Sequence, residues 1–343
     1  MSTRPATATG GGATTNVLES ENPGPIQVDD ALEDADSAIA STLSSYTRPL
    51  TSSALDYPIE HGRRYHAFRP GSYSMPNDQH EMDRLDLMHE VFTRALGRQL
   101  HLAPIDLART HRVLDMGTGT GIWALDFADQ HPGIEVLGND LSPIQPFWIP
   151  PNVKFEVDDI ESPWSYHAPF DFIFSRYLVS AIRDWPSLVR NVFDNLRPGG
   201  WVEFQDYEMM VRSDDGTLTE QSSTHKWIHL EVEATLRAGR EPNPGPQLEG
   251  WVRDAGFVNI THRVFKLPLG AWPKDKVLKE IGLFNLMACL YGLEAFSLRL
   301  MCDVLGWDEP QVHALVAQVR SELKTQRIHG YNNFHVVYAQ KPY

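Results

Sequence analysis

The sequence predicts an α/β fold: a doubly wound, mostly parallel seven-stranded sheet, preceded by an N-terminal helical lid and extended by C-terminal helical insertions. Three observations carry this. Short apolar runs alternate with helix-length segments, the pattern of a parallel sheet covered on both faces. A glycine-rich turn, Gly117 to Gly121, joins the first such run to the helix after it. Seven runs have strand length and composition, and 343 residues suffice for one large core.

Residues 1–56 stand apart. They are rich in Ser, Thr, Ala, Gly and Pro, have one aromatic, Tyr46, and set two arginines against eight acids, so they hold −6 of the net charge of −15. Such a segment buries too little apolar surface to offset its ordering entropy, and a disordered acidic tail is expected. The domain then spans 57–343: a lid segment at 57–104, a core at 105–206, a helical cover with one core strand at 207–333, and a closing strand at 334–343.

From Asp78 to about Leu100, Met82, Leu85, Met88, Phe92 and Leu96 recur at helical spacing. Strands follow at Arg112–Met116, Glu135–Asp140, Val153–Val157 and Asp171–Ser175, with a helix from about Gly119 to His131. A helix through Leu188–Leu196 and a turn at Arg197-Pro198-Gly199-Gly200 lead to a fifth strand, Trp201–Gln205. Helices are expected at 224–238, 247–254, 274–305 and 310–325. Two further strands, Phe257–Arg263 and Phe334–Gln340, complete the seven.

The acidic balance, 45 acidic against 30 basic side chains, argues against nucleic acid and anionic lipid as partners. Two cysteines, Cys289 and Cys302, are too few for a disulfide framework and fit a reducing compartment, so a cytoplasmic location is expected, with a nuclear one as the alternative. No secretory signal pattern is visible, and the apolar stretch Ile281–Leu293, interrupted by Asn285, reads as a buried helix rather than a membrane span.

The chemistry is concentrated in Val113-Leu114-Asp115-Met116-Gly117-Thr118-Gly119-Thr120-Gly121. Glycines let the backbone approach a ligand closely, and a strand–turn–helix context is where nucleotides bind. A dinucleotide fingerprint would want glycine at 122, where Ile122 stands. Asp115 would repel a pyrophosphate but suits a cation. S-adenosylmethionine, with a sulfonium, an ammonium and no phosphate, fits this acid and G-x-G-x-G. Asp140 ends the second strand, where a carboxylate accepts from ribose hydroxyls, or else caps Leu141-Ser142-Pro143. Asp158 and Asp159 end the third; either receives the adenine amino group or caps the next turn.

With the loop and Asp140, Phe170-Asp171-Phe172-Ile173 and Leu196-Arg197-Pro198-Gly199-Gly200 resemble the motif series of class I S-adenosylmethionine-dependent methyltransferases, which have a Rossmann-like fold. Gly62-Arg63-Arg64-Tyr65-His66, Asp83-Arg84-Leu85-Asp86, Leu141-Ser142-Pro143-Ile144-Gln145-Pro146 and Glu161-Ser162-Pro163-Trp164 are similar, more narrowly, to the fungal LaeA-like methyltransferases. That resemblance covers about 57–343. It implies S-adenosylmethionine as cofactor, with contacts from Asp115, Gly117, Thr118, Gly119, Gly121, Asp140, Leu141, Asp158 and Asp159. It also implies one of two roles: methylation of a small metabolite in fungal secondary metabolism, or regulation of that metabolism in a velvet-type protein complex.

Methyl transfer from a sulfonium is an in-line displacement whose catalyst mainly aligns the acceptor and excludes water, so its residue signature is faint. Phe174-Ser175-Arg176-Tyr177 is not the N/D-P-P-Y/F of nucleic-acid amino-methyltransferases, no Pro-Cys nucleophile exists, and Arg176 stands where a metal-dependent catechol enzyme would want a carboxylate. Arg176, Tyr177, Asp206 and Tyr207 follow strands four and five and are the candidates on the acceptor side, with Asp206 as base, as orienting group or as a plain strand end. Tyr65 and Tyr73 are expected to fold over the cofactor as lid residues, facing the sulfonium through cation–π attraction. His225, His229 and Glu233 share one helix face at ligand spacing, but with no second carboxylate cluster no metal is expected. Trp227, Trp251, Trp272 and Trp307 are expected to cover a hydrophobic small-molecule acceptor.

Overall fold

The computed structural model describes residues 24–28, 57–69 and 71–343. A small hairpin, β1 (Ile59–Glu60) and β2 (Arg63–Arg64), leads to helix α1 (Gln79–Ala95). Then follow β3 (Arg112–Met116), α2 (Ile122–Gln130), β4 (Glu135–Asp140), β5 (Val153–Val157), β6 (Phe170–Arg176), α3 (Trp185–Asn195) and β7 (Leu196–Tyr207). The C-terminal part holds α4 (Ser223–Arg237), α5 (Leu248–Asp254), β8 (Val258–Pro268), α6 (Lys276–Arg299), α7 (Glu309–Lys324) and β9 (Tyr331–Gln340).

Seven strands form one sheet in the order β5-β4-β3-β6-β7-β9-β8. β3, β4, β5, β6 and β7 run parallel, and β9 inserts antiparallel between β7 and β8. The order reverses beside β3, so the carboxyl ends of β3 and β6 flank the crevice where open α/β sheets bind ligands. The doubly wound, mostly parallel seven-stranded expectation is what the chain forms.

Successive strand residues point to opposite faces, and the core divides accordingly. Val113, Phe172, Phe174 and Val336 pack with Phe92, Trp123 and Phe127 on one face. Leu114, Ile173, Val202 and Val337 pack with Trp185, Val189, Leu248 and Val252 on the other. A third cluster, including Trp227, Leu286, Leu290, Val312 and Val316, joins α4, α6 and α7 away from the sheet. Helix α6 continues through a π turn, Leu300–Val304, and 72% of its most apolar window is buried, which accounts for its hydrophobicity as core.

Several boundaries differ from expectation for local reasons. Helix α1 stops at Ala95 rather than Leu100 because Gly97 and Arg98 take φ of 63° and 71°, folding the Arg98 N–H back to the Thr93 carbonyl at 2.7 Å. The expected turn at Arg197–Gly200 lies inside β7. Phe170 pairs with Leu196 and Phe172 with Trp201, so the four residues bulge out of register, with Gly199 at φ 77°. Strand β8 extends to Pro268 and β9 begins at Tyr331, since their antiparallel pairing continues beyond the sheet's parallel part.

Most of the tail for which disorder was expected lies outside the described residues. Residues 24–28 depart from that expectation: they lie against the fold, with Ile26 on the core, Val28 bridging Pro273, and the Gln27 carbonyl accepting from the Lys274 N–H at 2.9 Å.

Candidate active site

The loop after β3 is built by its glycines. Gly117, Gly119 and Gly121 have φ of 64°, 56° and 80°, left-handed conformations that cost a side-chain-bearing residue about 1–2 kcal/mol. A Cβ on Gly117 would stand 2.6 Å from Leu178 Cδ2, so a side chain would also collide with the opposite wall. The helix expected from Gly119 therefore begins only at Ile122, with Gly121 as its cap.

Above this loop lies a cavity of about 150 Å³. Its walls include Asp115, Gly117, Thr118, Gly119, Asp140 and Leu141, together with Asp158 and Asp159 at the end of β5. Gly121 is outside it; its φ turns the chain into α2. The acids are held by hydrogen bonds that leave them facing the cavity. Asp115 accepts from the Thr118 hydroxyl at 2.6 Å. Asp140 accepts from the N–H groups of Gly119 and Ser142, each at 2.9 Å. Asp158 and Asp159 cap the following turn through the N–H groups of Asp159 and Glu161, at 2.8 and 3.0 Å. Burial pushes the Asp115 carboxyl up to about 7, against the Thr118 hydrogen bond and the Arg176 charge. Burial likewise raises Asp140, against the amides it accepts from.

These features fit S-adenosylmethionine. The glycine cradle leaves room that a side chain would fill, and a cation would relieve the cost of ionising Asp115 in a buried site. The pyrophosphate of a dinucleotide would be repelled by the acids at these strand ends, Asp115, Asp140, Asp158 and Asp159.

The lid segment is fastened at its base. Arg63 makes two hydrogen bonds to Asp78, at 2.6 and 2.8 Å, and Asp78 caps α1 through the Glu81 N–H. Asn77 donates to Ser142 Oγ at 3.2 Å and reaches the cavity wall, a contact that sequence patterns did not single out. Tyr73 lines the cavity, but Tyr65 does not. Tyr65 is fully buried beneath Arg299, whose guanidinium lies 4.5 Å from its ring centroid, so the lid expectation for it is corrected.

A second, smaller chamber of about 80 Å³ adjoins the first and shares Tyr73, Met75, Met88 and Tyr177 with it. Its outer walls come from Tyr207 at the end of β7 and Met209 just beyond it, Trp227 and Glu231 on α4, and Asn285 and Cys289 on α6. Arg84, on α1, also lines it. That arginine is 1% exposed and held in a two-point ion pair with Glu81, at 2.6 and 2.9 Å, while donating to the Tyr177 hydroxyl at 3.0 Å. Burial opposes its charge, but the Glu81 carboxylate prevails and holds it well above the usual range. Tyr177 and Tyr207 stack, with their hydroxyls 3.2 Å apart.

The acceptor-side candidates thus separate. Tyr177 and Tyr207 line this chamber. Arg176 lines the first cavity instead, its guanidinium held by Gln205 Oε1 at 2.7 Å and the Leu100 carbonyl at 3.1 Å; burial lowers it to about 10, against the pull of Asp115 and Glu203. Asp206 lines neither. Its carboxylate accepts from three backbone N–H groups and sits 2% exposed behind the β6–α3 loop, a positioning role rather than that of a base in contact with acceptor. His225 and His229 face each other at 3.1 Å, and Glu233 is taken up by Arg237. Of the four tryptophans, only Trp227 reaches the chamber; Trp251 stacks on Trp185, and Trp272 donates to the Gly330 carbonyl.

Known proteins similar to this chain place it in a family. Residues 87–262 match the model of the family described as "Methyltransferase domain". The chain is 46% identical to "Methyltransferase pytC" of Aspergillus terreus over 330 residues, covering 96% of this chain and all of that protein. It is 39% identical to "Secondary metabolism regulator LAE1" of Cochliobolus heterostrophus, over 85% of this chain and 99% of the relative. It is 36% identical to "Protein-methionine methyltransferase laeA" of Emericella nidulans, over 82% and 76%. Among solved structures it is similar to a putative methyltransferase from an antibiotic biosynthesis pathway of Anabaena variabilis, with TM-score 0.46 and 12% identity, over 76% of this chain and 99% of that one. By its family model, its relatives and the fold around its glycine loop, the chain belongs to the S-adenosylmethionine-dependent methyltransferases.

Proposed function

We propose that the protein methylates a small, largely apolar molecule of fungal secondary metabolism, held in the chamber behind Tyr73 and Tyr177. The supporting observation is the shared wall: a mostly apolar chamber abuts the donor cavity through Tyr73, Met75, Met88 and Tyr177. Ligand sites of this kind are apolar with a few placed polar groups.

S-adenosylmethionine, when bound, supplies a methyl group on a positively charged sulfur. Asp115 and Asp140 offer the negative charge that holds a cationic donor, and the glycine loop admits it closely. Tyr73 and Tyr177 bound the passage and exclude water from it. Arg84 orients the Tyr177 hydroxyl at the place where acceptor meets donor.

A second reading, a regulator that works within a protein complex, is favoured by the LAE1 likeness along nearly the whole of that relative. One experiment separates the two. The protein is incubated with methyl-labelled cofactor and, in parallel, with the metabolite extract and the protein fraction of the organism of origin. Label in small molecules supports the first reading; label confined to protein overturns it.

A further inference from the structure

The second chamber contains one carboxyl group that has no counter-ion among the residues lining it. Glu231, in the middle of α4, is 1% exposed and lines the chamber. Its Oε1 accepts from the Ser297 hydroxyl at 2.7 Å, and Ser297 in turn accepts from the Trp227 indole N–H at 2.8 Å. Its Oε2 is buried and has no hydrogen-bond partner. Ser180 Oγ is in the same condition, and among the described residues these are the two orphaned side-chain atoms that line this chamber. Buried polar atoms in folded proteins nearly always have partners, so an orphan on a residue that lines a ligand chamber marks where a ligand can supply one.

The charge of the missing partner follows from the lining. The other ionic side chain there, Arg84, is already neutralised by its two-point pair with Glu81. With that pair counted as neutral, an ionised Glu231 leaves the chamber at one negative charge, which an apolar surrounding tolerates only when paired. Five aromatic residues also line the space, Trp227, Tyr73, Tyr177, Tyr207 and Phe296, and aromatic rings favour a cation over an anion; Arg84 already lies over those of Tyr177 and Phe296.

Resting on the small-molecule reading above, we propose that the acceptor carries a basic nitrogen, protonated as it binds, which the Glu231 carboxylate receives between α4 and α6. Glu231 is thereby a specificity-determining residue, and the Ser297–Trp227 relay fixes which of its oxygens faces the ligand. Burial raises the Glu231 carboxyl to about 7, against the hydrogen bond from Ser297 and the influence of the nearby Trp227 indole. A bound ammonium reverses that cost and keeps the group ionised.

The test uses the full chain saturated with S-adenosylhomocysteine and titrates benzylamine, phenethylamine and tryptamine by calorimetry at neutral pH. Tryptophol, the neutral counterpart of tryptamine, is the control. The expected result is a preference for tryptamine over tryptophol of at least about tenfold, the size of one well-formed charged hydrogen bond. Glu231→Gln, which keeps the shape and removes the charge, is expected to erase that preference while S-adenosylhomocysteine affinity stays within about twofold. Equal affinity for the two indoles in the unmodified protein overturns the proposal without need of any variant. So does a preference that survives in Glu231→Gln, or failure of all three amines to bind while S-adenosylhomocysteine binds. Failure of S-adenosylhomocysteine itself to bind would instead strike at the donor cavity. Label confined to protein in the extract experiment would strike at the small-molecule reading.

Discussion

The Asp206 carboxylate accepts from the Leu178 N–H at 2.9 Å, and through its other oxygen from the Val179 N–H at 3.1 Å and the Tyr207 N–H at 2.9 Å. This anchors the loop after β6, where Tyr177 and Ser180 take φ of 65° and 62°, conformations costly for residues other than glycine. Tyr177, on this loop, lines both chambers. Asp206→Ala leaves several buried amides without an acceptor, each costing about 1–3 kcal/mol, so the protein should lose at least about 3 kcal/mol in denaturant unfolding. Methyl transfer should fall with it. Asp206→Asn, which retains one acceptor oxygen, should lie between. Unchanged stability in both would show that the loop is held by other contacts.

Asp115 predicts a pH dependence for cofactor binding. Its carboxyl titrates near 7 in the protein alone because of burial, and a cationic ligand requires it ionised. Below that value binding must expel a proton, so affinity for S-adenosylmethionine should climb by up to about tenfold per pH unit and flatten above neutrality. Asp115→Asn should bind weakly and lose the slope. A flat profile from pH 5 to 8 in the unmodified protein, measured by calorimetry, would contradict the assignment.

Gly119 tests the cradle itself. Gly119→Arg places a long cation in the loop at φ 56°, beside the acids that face the donor. Cofactor binding should fall by at least about a hundredfold, while the circular dichroism spectrum keeps its α/β character. Retained binding would refute the loop as the donor site.

Tyr65 and Tyr73 looked alike in the sequence and part company in the structure. The Tyr65 hydroxyl is buried without a partner, and burial raises it to about 12. Removing an unsatisfied polar atom costs little, so Tyr65→Phe should be neutral or slightly stabilising, with unchanged cofactor affinity. Tyr73 lines both chambers, and Tyr73→Ala should weaken cofactor and acceptor together. Calorimetry on the two variants side by side distinguishes these outcomes.

What the sequence made legible follows from how each part is encoded. The donor cavity is read from strand ends: Asp115, Asp140 and Asp158 each close an apolar run, and the parallel topology brings those ends to one edge. The second chamber has no such code. Arg84, Trp227, Glu231 and Asn285 come from three helices far apart in the chain, and each sits in a helical pattern that reads as ordinary amphipathic or core sequence. Glu231 in particular is one of four acids and histidines on α4, with His225, His229 and Glu233, and is distinguished from them by burial. Asp206 misled for the converse reason: a carboxylate at a strand end resembles a catalytic group until the backbone amides that occupy it are seen.

The Arg84–Glu81 pair supplies the last prediction. Both side chains are almost wholly buried, at 1% and 2% exposure, and they stand one turn apart on α1 between the two chambers. Removing one partner strands the other's charge in the interior, which costs about 3–5 kcal/mol, whereas replacing both with apolar residues of similar size is often neutral. Arg84→Met and Glu81→Met should therefore each destabilise strongly, and the double variant should recover most of the loss in urea unfolding. Activity should not recover with it. Arg84 also donates to the Tyr177 hydroxyl, and its cation lies 5.3 Å from the Tyr177 ring centroid, so a stable double variant leaves that tyrosine held through Tyr207 but without Arg84. Recovered stability with methyl transfer still reduced would separate the structural part of the pair from its positioning of Tyr177. Recovery of both would mean that Tyr177 needs no help from Arg84.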